Sequence, residues 1–113
     1  MSGRRLDHAG CSLAYRVAGP EAGEPVVFVQ GVSVHGAGWA PQTEALADRF
    51  RCLWFDNRGI GDSQPIGPAG APLSVERMAD DVRALMDAEG WADAHVVGHS
   101  MGGAIAQAFA LAH

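Results

Sequence analysis

Short runs of β-branched and aromatic residues alternate along this chain with stretches of helical periodicity, the pattern of βαβ units and a parallel sheet. Residues 11–17 alternate weakly between apolar and polar and predict an early strand, closed by Gly19-Pro20. Residues 26–29 are apolar without a break, as in a strand covered on both faces; Gln30-Gly31 ends it. Leu46 and Phe50 fall at helical spacing within residues 39–50, so a short helix is expected after Pro41. A further strand is predicted over residues 51–55, stopped at Asp56. A polar, turn-rich loop follows, with Gly59, Gly61 and the stretch from Pro65 to Pro72. Ser74 is a good N-cap for a helix with Val75, Met78, Ala79, Val82, Leu85 and Met86 on one face, and Gly90 is its natural stop. Residues 95–97 predict a brief buried strand. The helix expected from Met101 onward is apolar on nearly every side, as in a helix within a larger core.

The chemistry concentrates at Gly98-His99-Ser100-Met101-Gly102, a Gly-x-Ser-x-Gly motif set between a predicted strand and a predicted helix. A serine hydroxyl is a poor nucleophile unless it is lifted out of the backbone and given a base. A sharp strand-to-helix turn does the lifting and brings strand and helix close, leaving room only for small residues two places away. Gly98 and Gly102 stand there, and Gly103 and Ala104 are expected to let the helix lie close on the sheet. The helix N-terminus then faces the reacting centre, where free N–H groups favour a developing oxyanion. The Met101 N–H is the first such donor expected, with a second from the loop after residues 26–29.

The order of these signals resembles the α/β-hydrolase superfamily, in its compact serine-nucleophile esterase and lactonase-like branch. Residues 98–103 resemble that family's nucleophile elbow, and residues 56–63 (Asp-Asn-Arg-Gly-Ile-Gly-Asp-Ser) its Asp-x-Arg-Gly-x-Gly-x-Ser turn. Residues 26–31 and the loop to Trp39 look like its oxyanion loop. The resemblance runs from residue 11 onward. It implies an α/β fold: the amino-terminal half of an α/β-hydrolase sheet, with mostly parallel strands and helices on both faces. It also implies Ser100 as nucleophile, with the N–H groups of Met101 and Val32 holding the oxyanion. Gly31, His35 and His99 are expected substrate contacts. The family usually has His-Gly where this chain has Gln30-Gly31. The donor there is a backbone N–H, so the change need not abolish the function. His35-Gly36, further along, is a candidate shifted version of the motif.

In that family the acid and the His base follow the serine along the chain, whereas this chain ends within the helix after Ser100. Residues 1–113 are therefore expected to be an incomplete domain, truncated in that helix and inactive alone, with residues 95–97 left as an exposed edge. The activity expected of the longer protein is hydrolysis of a small carboxylic ester or related acyl bond. The alternatives are a non-hydrolytic member of the fold (lyase, perhydrolase, acyltransferase or small-molecule receptor) or a non-functional gene fragment.

Other candidates are weaker. Residues 59–64 lack the third glycine of a dinucleotide loop, and no Gly-Lys-Ser/Thr follows. Asp56 and Arg58 are read instead as a charge pair tying the turn, with Ser63 bonding local backbone. His8 and His113 suggest no partner, and His95 is read as structural. Side-chain alternation turns His99 away from the line of attack. The net charge of −5 argues against a nucleic-acid or anionic-membrane partner. Arg4 and Arg5 read as part of a solvated terminus. Cys11 and Cys52 lack metal-ligand or redox spacing, and Cys52 reads as a buried thiol. No cofactor or metal is expected, the substrate is a small molecule, and the default setting is cytoplasmic.

Overall fold

The computed structural model describes residues 3–31, 35–65 and 74–113. In chain order these form β1 (Arg4–His8), β2 (Cys11–Ala18), β3 (Pro25–Val29), a 3₁₀ turn (Gly36–Trp39), α1 (Ala40–Leu46) and β4 (Arg51–Phe55). The two-residue β5 (Gln64–Pro65), α2 (Val75–Ala88), β6 (His95–Gly98) and α3 (Met101–Ala112) follow. The strands join in one sheet of order β1-β2-β4-β3-β6, with β5 alongside β2.

The sheet is mixed. β3 pairs in parallel with both β4 and β6, while β2 is antiparallel to β1, β4 and β5. Segments 26–29, 51–55 and 95–97 are strands as expected, and β2 runs one residue past the predicted stretch. Strand β1 was not expected, since Arg4 and Arg5 read as a solvated terminus. The reversal at Ala9 (φ 46°) and Gly10 (φ 82°) folds it back with His8 opposite Cys11, as two left-handed residues do in a tight hairpin.

Helices cover both faces. Val27 and Val29 point to one side, into a core with Cys11, Leu13, Leu53, Phe55 and the inward residues of α2 and α3. Val26 and Phe28 point to the other, where Cys52, Trp54, Trp39 and Leu46 pack. That two-sided burial is why β3 is apolar without alternation. Pro41 stands in the first turn of α1 rather than before it, where its missing N–H costs nothing. Ser74 caps α2 by accepting the Arg77 N–H at 3.0 Å. Gly90 (φ 77°) follows the helix end. The inward face of α2 matches the predicted apolar positions with one addition, the buried Asp81.

Strand β6 lies at the edge of this sheet. Val97 retains 39% exposure and Leu111, on α3, 91%. Only Gly102, Ile105 and Phe109 of α3 are buried. Among the described residues no helix is long and apolar enough to cross a membrane.

Candidate active site

Ser100 sits between the last residue pair of β6 and the first residue of α3, with φ 57° and ψ −123°. A non-glycine residue there is strained, typically by about 1–3 kcal/mol, and such strain gathers where chemistry needs a fixed geometry. The serine N-caps α3 without a hydrogen bond from its side chain to the helix, and the residue is exposed. The hydroxyl is thus held outward rather than used up in capping.

The small flanking residues are a steric necessity. A Cβ on Gly98 would stand 2.3 Å from the Gly102 carbonyl oxygen, and one on Gly102 would stand 2.0 Å from the Val29 carbonyl oxygen. Gly103 is different from what its neighbourhood suggests: a Cβ there meets nothing within 4 Å, and Ala104 is exposed. Close approach of helix and sheet therefore depends on Gly98 and Gly102, not on Gly103 and Ala104.

Met101 opens α3, and its N–H belongs to the first turn, where no intrahelical acceptor exists. Gly31 abuts the serine: a Cβ built on it would lie 3.1 Å from Ser100 Cβ and 3.4 Å from Oγ. Val32, the expected second oxyanion donor, lies outside the described residues, as does most of the loop expected over residues 65–72. His99 is exposed and lines a cavity of about 220 Å³ with Gln30, Gly38, Trp39 and Gln42. His35 is exposed too, its Nδ1 4.0 Å from Asp56 Oδ1. Asp56 itself accepts the Gly36 N–H at 2.7 Å and the Asp62 N–H at 3.0 Å, so it ties the far end of the loop after β3 to the turn after β4.

The expected Asp56–Arg58 pair is not formed. Arg58 is buried and grips the buried Asp81 through Nε and Nη2, each at 2.7 Å. It also donates to the carbonyls of Ala9 and His8. That hydrogen bonding to Asp81 holds the guanidinium pKa above its ordinary value against the opposing effect of burial. Both Asp56 oxygens are taken by the Gly36 and Asp62 N–H groups, whereas Asp81 offers both of its oxygens to the guanidinium fork. Asp81 was legible in retrospect as a carboxylate falling on the apolar stripe of α2. Ser63 does bond locally, donating to the Asp56 carbonyl at 2.7 Å, and also accepts the Ala14 N–H.

The histidines read as lacking partners have them. His8 Nδ1 is 2.7 Å from Asp81 Oδ1 and His113 Nε2 is 3.0 Å from Asp80 Oδ1; His95, on β6, lies 3.0 Å from Glu24. Cys11 and Cys52 are both buried free thiols, and burial pushes both pKa values up, away from nucleophilic use at neutral pH.

A doubly covered sheet with an exposed serine at a strained strand-to-helix turn defines an α/β protein whose serine stands at the carboxyl ends of parallel strands. The chain belongs to the alpha/beta hydrolase fold family, which residues 24–113 match. It is 45% identical over 103 residues to the Caulobacter segnis protein named "Putative carbamate hydrolase RutD", covering 89% of this chain and 38% of that one. A solved hydrolase from Pseudomonas aeruginosa superposes with a TM-score of 0.87 at 34% identity, over 96% of this chain and 40% of that one. Est816, described as an N-acyl homoserine lactone degrading enzyme, gives the same TM-score and identity over 97% of this chain and 40% of its own. The chain thus spans about two-fifths of the length of these relatives.

Proposed function

We propose that this chain is the nucleophile-bearing part of a serine hydrolase acting on small carboxylic esters or related acyl bonds, carbamates and lactones among them. The observation that carries the reading is Ser100: exposed, at φ 57°, between β6 and an α-helix whose N-terminus faces it. The names of the relatives, a carbamate hydrolase and a lactone-degrading enzyme, support the substrate class.

In this reading Ser100 Oγ attacks the carbonyl carbon while its proton passes to a histidine. The resulting oxyanion is held by the Met101 N–H and by a second N–H from the loop after β3, expected at Val32. Collapse of the tetrahedral species expels the leaving group, which takes the proton back from the histidine. Water then attacks the acyl-enzyme with the histidine again as base, releasing the acid and restoring Ser100. The histidine and its carboxylate partner come from sequence beyond residue 113, as the family's chain order requires. The exposed edge of β6 and the greater length of the relatives support this placement.

A fluorophosphonate probe on the full-length protein tests the proposal. Labelling of Ser100 that parallels loss of esterase activity is the expected result. An active protein labelled elsewhere, or not at all, overturns it.

A further inference from the structure

Two buried amides lie at the end of β3, beside the residue that abuts the serine. Gln30, 2% exposed, donates from Nε2 to the Phe55 carbonyl at 2.6 Å, and Asn57, 1% exposed, donates from Nδ2 to the Gln30 carbonyl at 3.3 Å. The next residue after Gln30 is Gly31, which abuts Ser100. The carbonyls of Val29 and Gln30 also meet the first turn of α3 at Gly102, and the His99 N–H donates to the Val29 carbonyl at 3.1 Å. The end of β3 is therefore pinned on one side by β4's exit and on the other by the serine turn itself.

The brace is built at a cost. Gln30 Oε1 and Asn57 Oδ1 are both buried, and among the described residues neither has a hydrogen-bond partner. Buried amides selected for folding alone would satisfy both ends, since an unpaired buried acceptor offsets most of what its partner bond contributes. The backbone that the pair bonds to is the stretch beside Ser100 Oγ.

We propose that Gln30 and Asn57 are positioning residues that hold the Gln30–Gly31 backbone against Ser100, and that the Gln30 side-chain N–H is the group that matters. The proposal rests on Ser100 acting as the nucleophile. Displacing backbone by about 1 Å beside a reacting centre can slow the reaction roughly 100-fold without touching substrate affinity. Gln30→Met keeps the length of the side chain and removes the donor, while Gln30→His restores a ring N–H able to reach the same carbonyl.

The experiment uses the full-length protein and the fluorophosphonate probe, resolving the first-order labelling step from the half-saturating probe concentration, with urea unfolding of each variant. Gln30→Met is expected to slow the first-order step about 10- to 100-fold, with half-saturation and the unfolding midpoint little changed. Gln30→His is expected to recover most of the rate. Gln30→Met reacting as fast as wild type overturns the proposal, and so does Gln30→His reacting as slowly as Gln30→Met. Should Gln30→Met fail to fold, Asn57→Leu decides: slowed labelling of a folded variant supports the brace, and wild-type labelling overturns it. Wild-type protein that is active yet unlabelled at Ser100 removes the reading beneath the proposal, and is told apart by needing no variant at all.

Discussion

At the β1–β2–β4 side of the sheet, side chains from four parts of the chain interlock. Arg58, after β4, grips Asp81 on α2 and the carbonyls of the β1–β2 turn, and His8 approaches the same carboxylate. Nearby, Tyr15 of β2 donates to Glu89 at 2.8 Å, and Arg4 of β1 donates to the same carboxylate at 2.5 Å. The β3–β6 side opens to solvent. β6 has an open edge, α3 exposes Leu111, and the one strongly strained serine stands at the boundary between them. The first region uses its polar residues to tie elements together; the second holds the Ser100 side chain exposed, with no capping bond to α3. The interlocking charge pairs and the strained serine thus lie on opposite sides of one sheet, and under the proposed function variants on the two sides should fail in opposite ways.

Ser100→Ala gives the largest expected effect. It should lower turnover of the full-length enzyme by roughly 10⁴-fold or more, as loss of a nucleophile does in serine hydrolases, with no loss of stability. Ser100→Gly sharpens the point, because glycine accepts the positive φ. It should be equally inactive and about 1 kcal/mol more stable in urea. A destabilised Ser100→Gly would contradict the assignment of strain to this turn.

Asp81→Ala on the opposite side leaves the Arg58 guanidinium buried without its counter-charge. An unfolding free energy lower by about 3–5 kcal/mol is expected, and the labelling rate of whatever remains folded should be near wild type. Equal stability of the two proteins would show that Arg58 finds another anion.

Alkaline pH probes the same side more gently. Burial, and then the Glu89 carboxylate, push the Tyr15 phenol up to about 12. The unfolded chain loses that proton near pH 10 while the folded chain keeps it. Unfolding then releases a proton, and stability falls as pH rises from about 10 to 12. One pKa unit corresponds to about 1.4 kcal/mol, so the fall attributable to this group over two units is about 3 kcal/mol. The buried thiols of Cys11 and Cys52 add to it in the same direction. In Tyr15→Phe the alkaline slope should flatten, which a urea series at several pH values would read directly.

Ser74→Ala is the smallest. It removes the acceptor for the Arg77 N–H at the start of α2 and should cost about 1 kcal/mol, leaving labelling of Ser100 unchanged.

Much of the architecture was readable because it depends on local pattern. Strands β2, β3, β4 and β6, the capped α2 and the serine turn are each readable from local sequence. Periodicity, a capping serine and a Gly-x-Ser-x-Gly spacing act at that range. Strand β1 was not readable: Arg4–His8 is polar at alternate positions, and it is a strand because β2 supplies its hydrogen bonds. The partner of Arg58 was misread for a similar reason, since a nearby Asp56 competes on paper with an Asp81 that only packing brings into reach.

The amino-acid sequence by itself determined which residue would stand at the strand-to-helix turn and why glycines must flank it. Those are steric demands of a single short segment. Tertiary structure alone decided what holds that turn in place. Gln30 and Asn57 meet because β3 and β4 lie parallel with Val27 opposite Leu53 and Phe28 opposite Trp54, and Gly31 reaches Ser100 because β6 lies on the other flank of β3. No local pattern encodes those meetings. They follow from strand order, which is set by burying both faces of β3 at once.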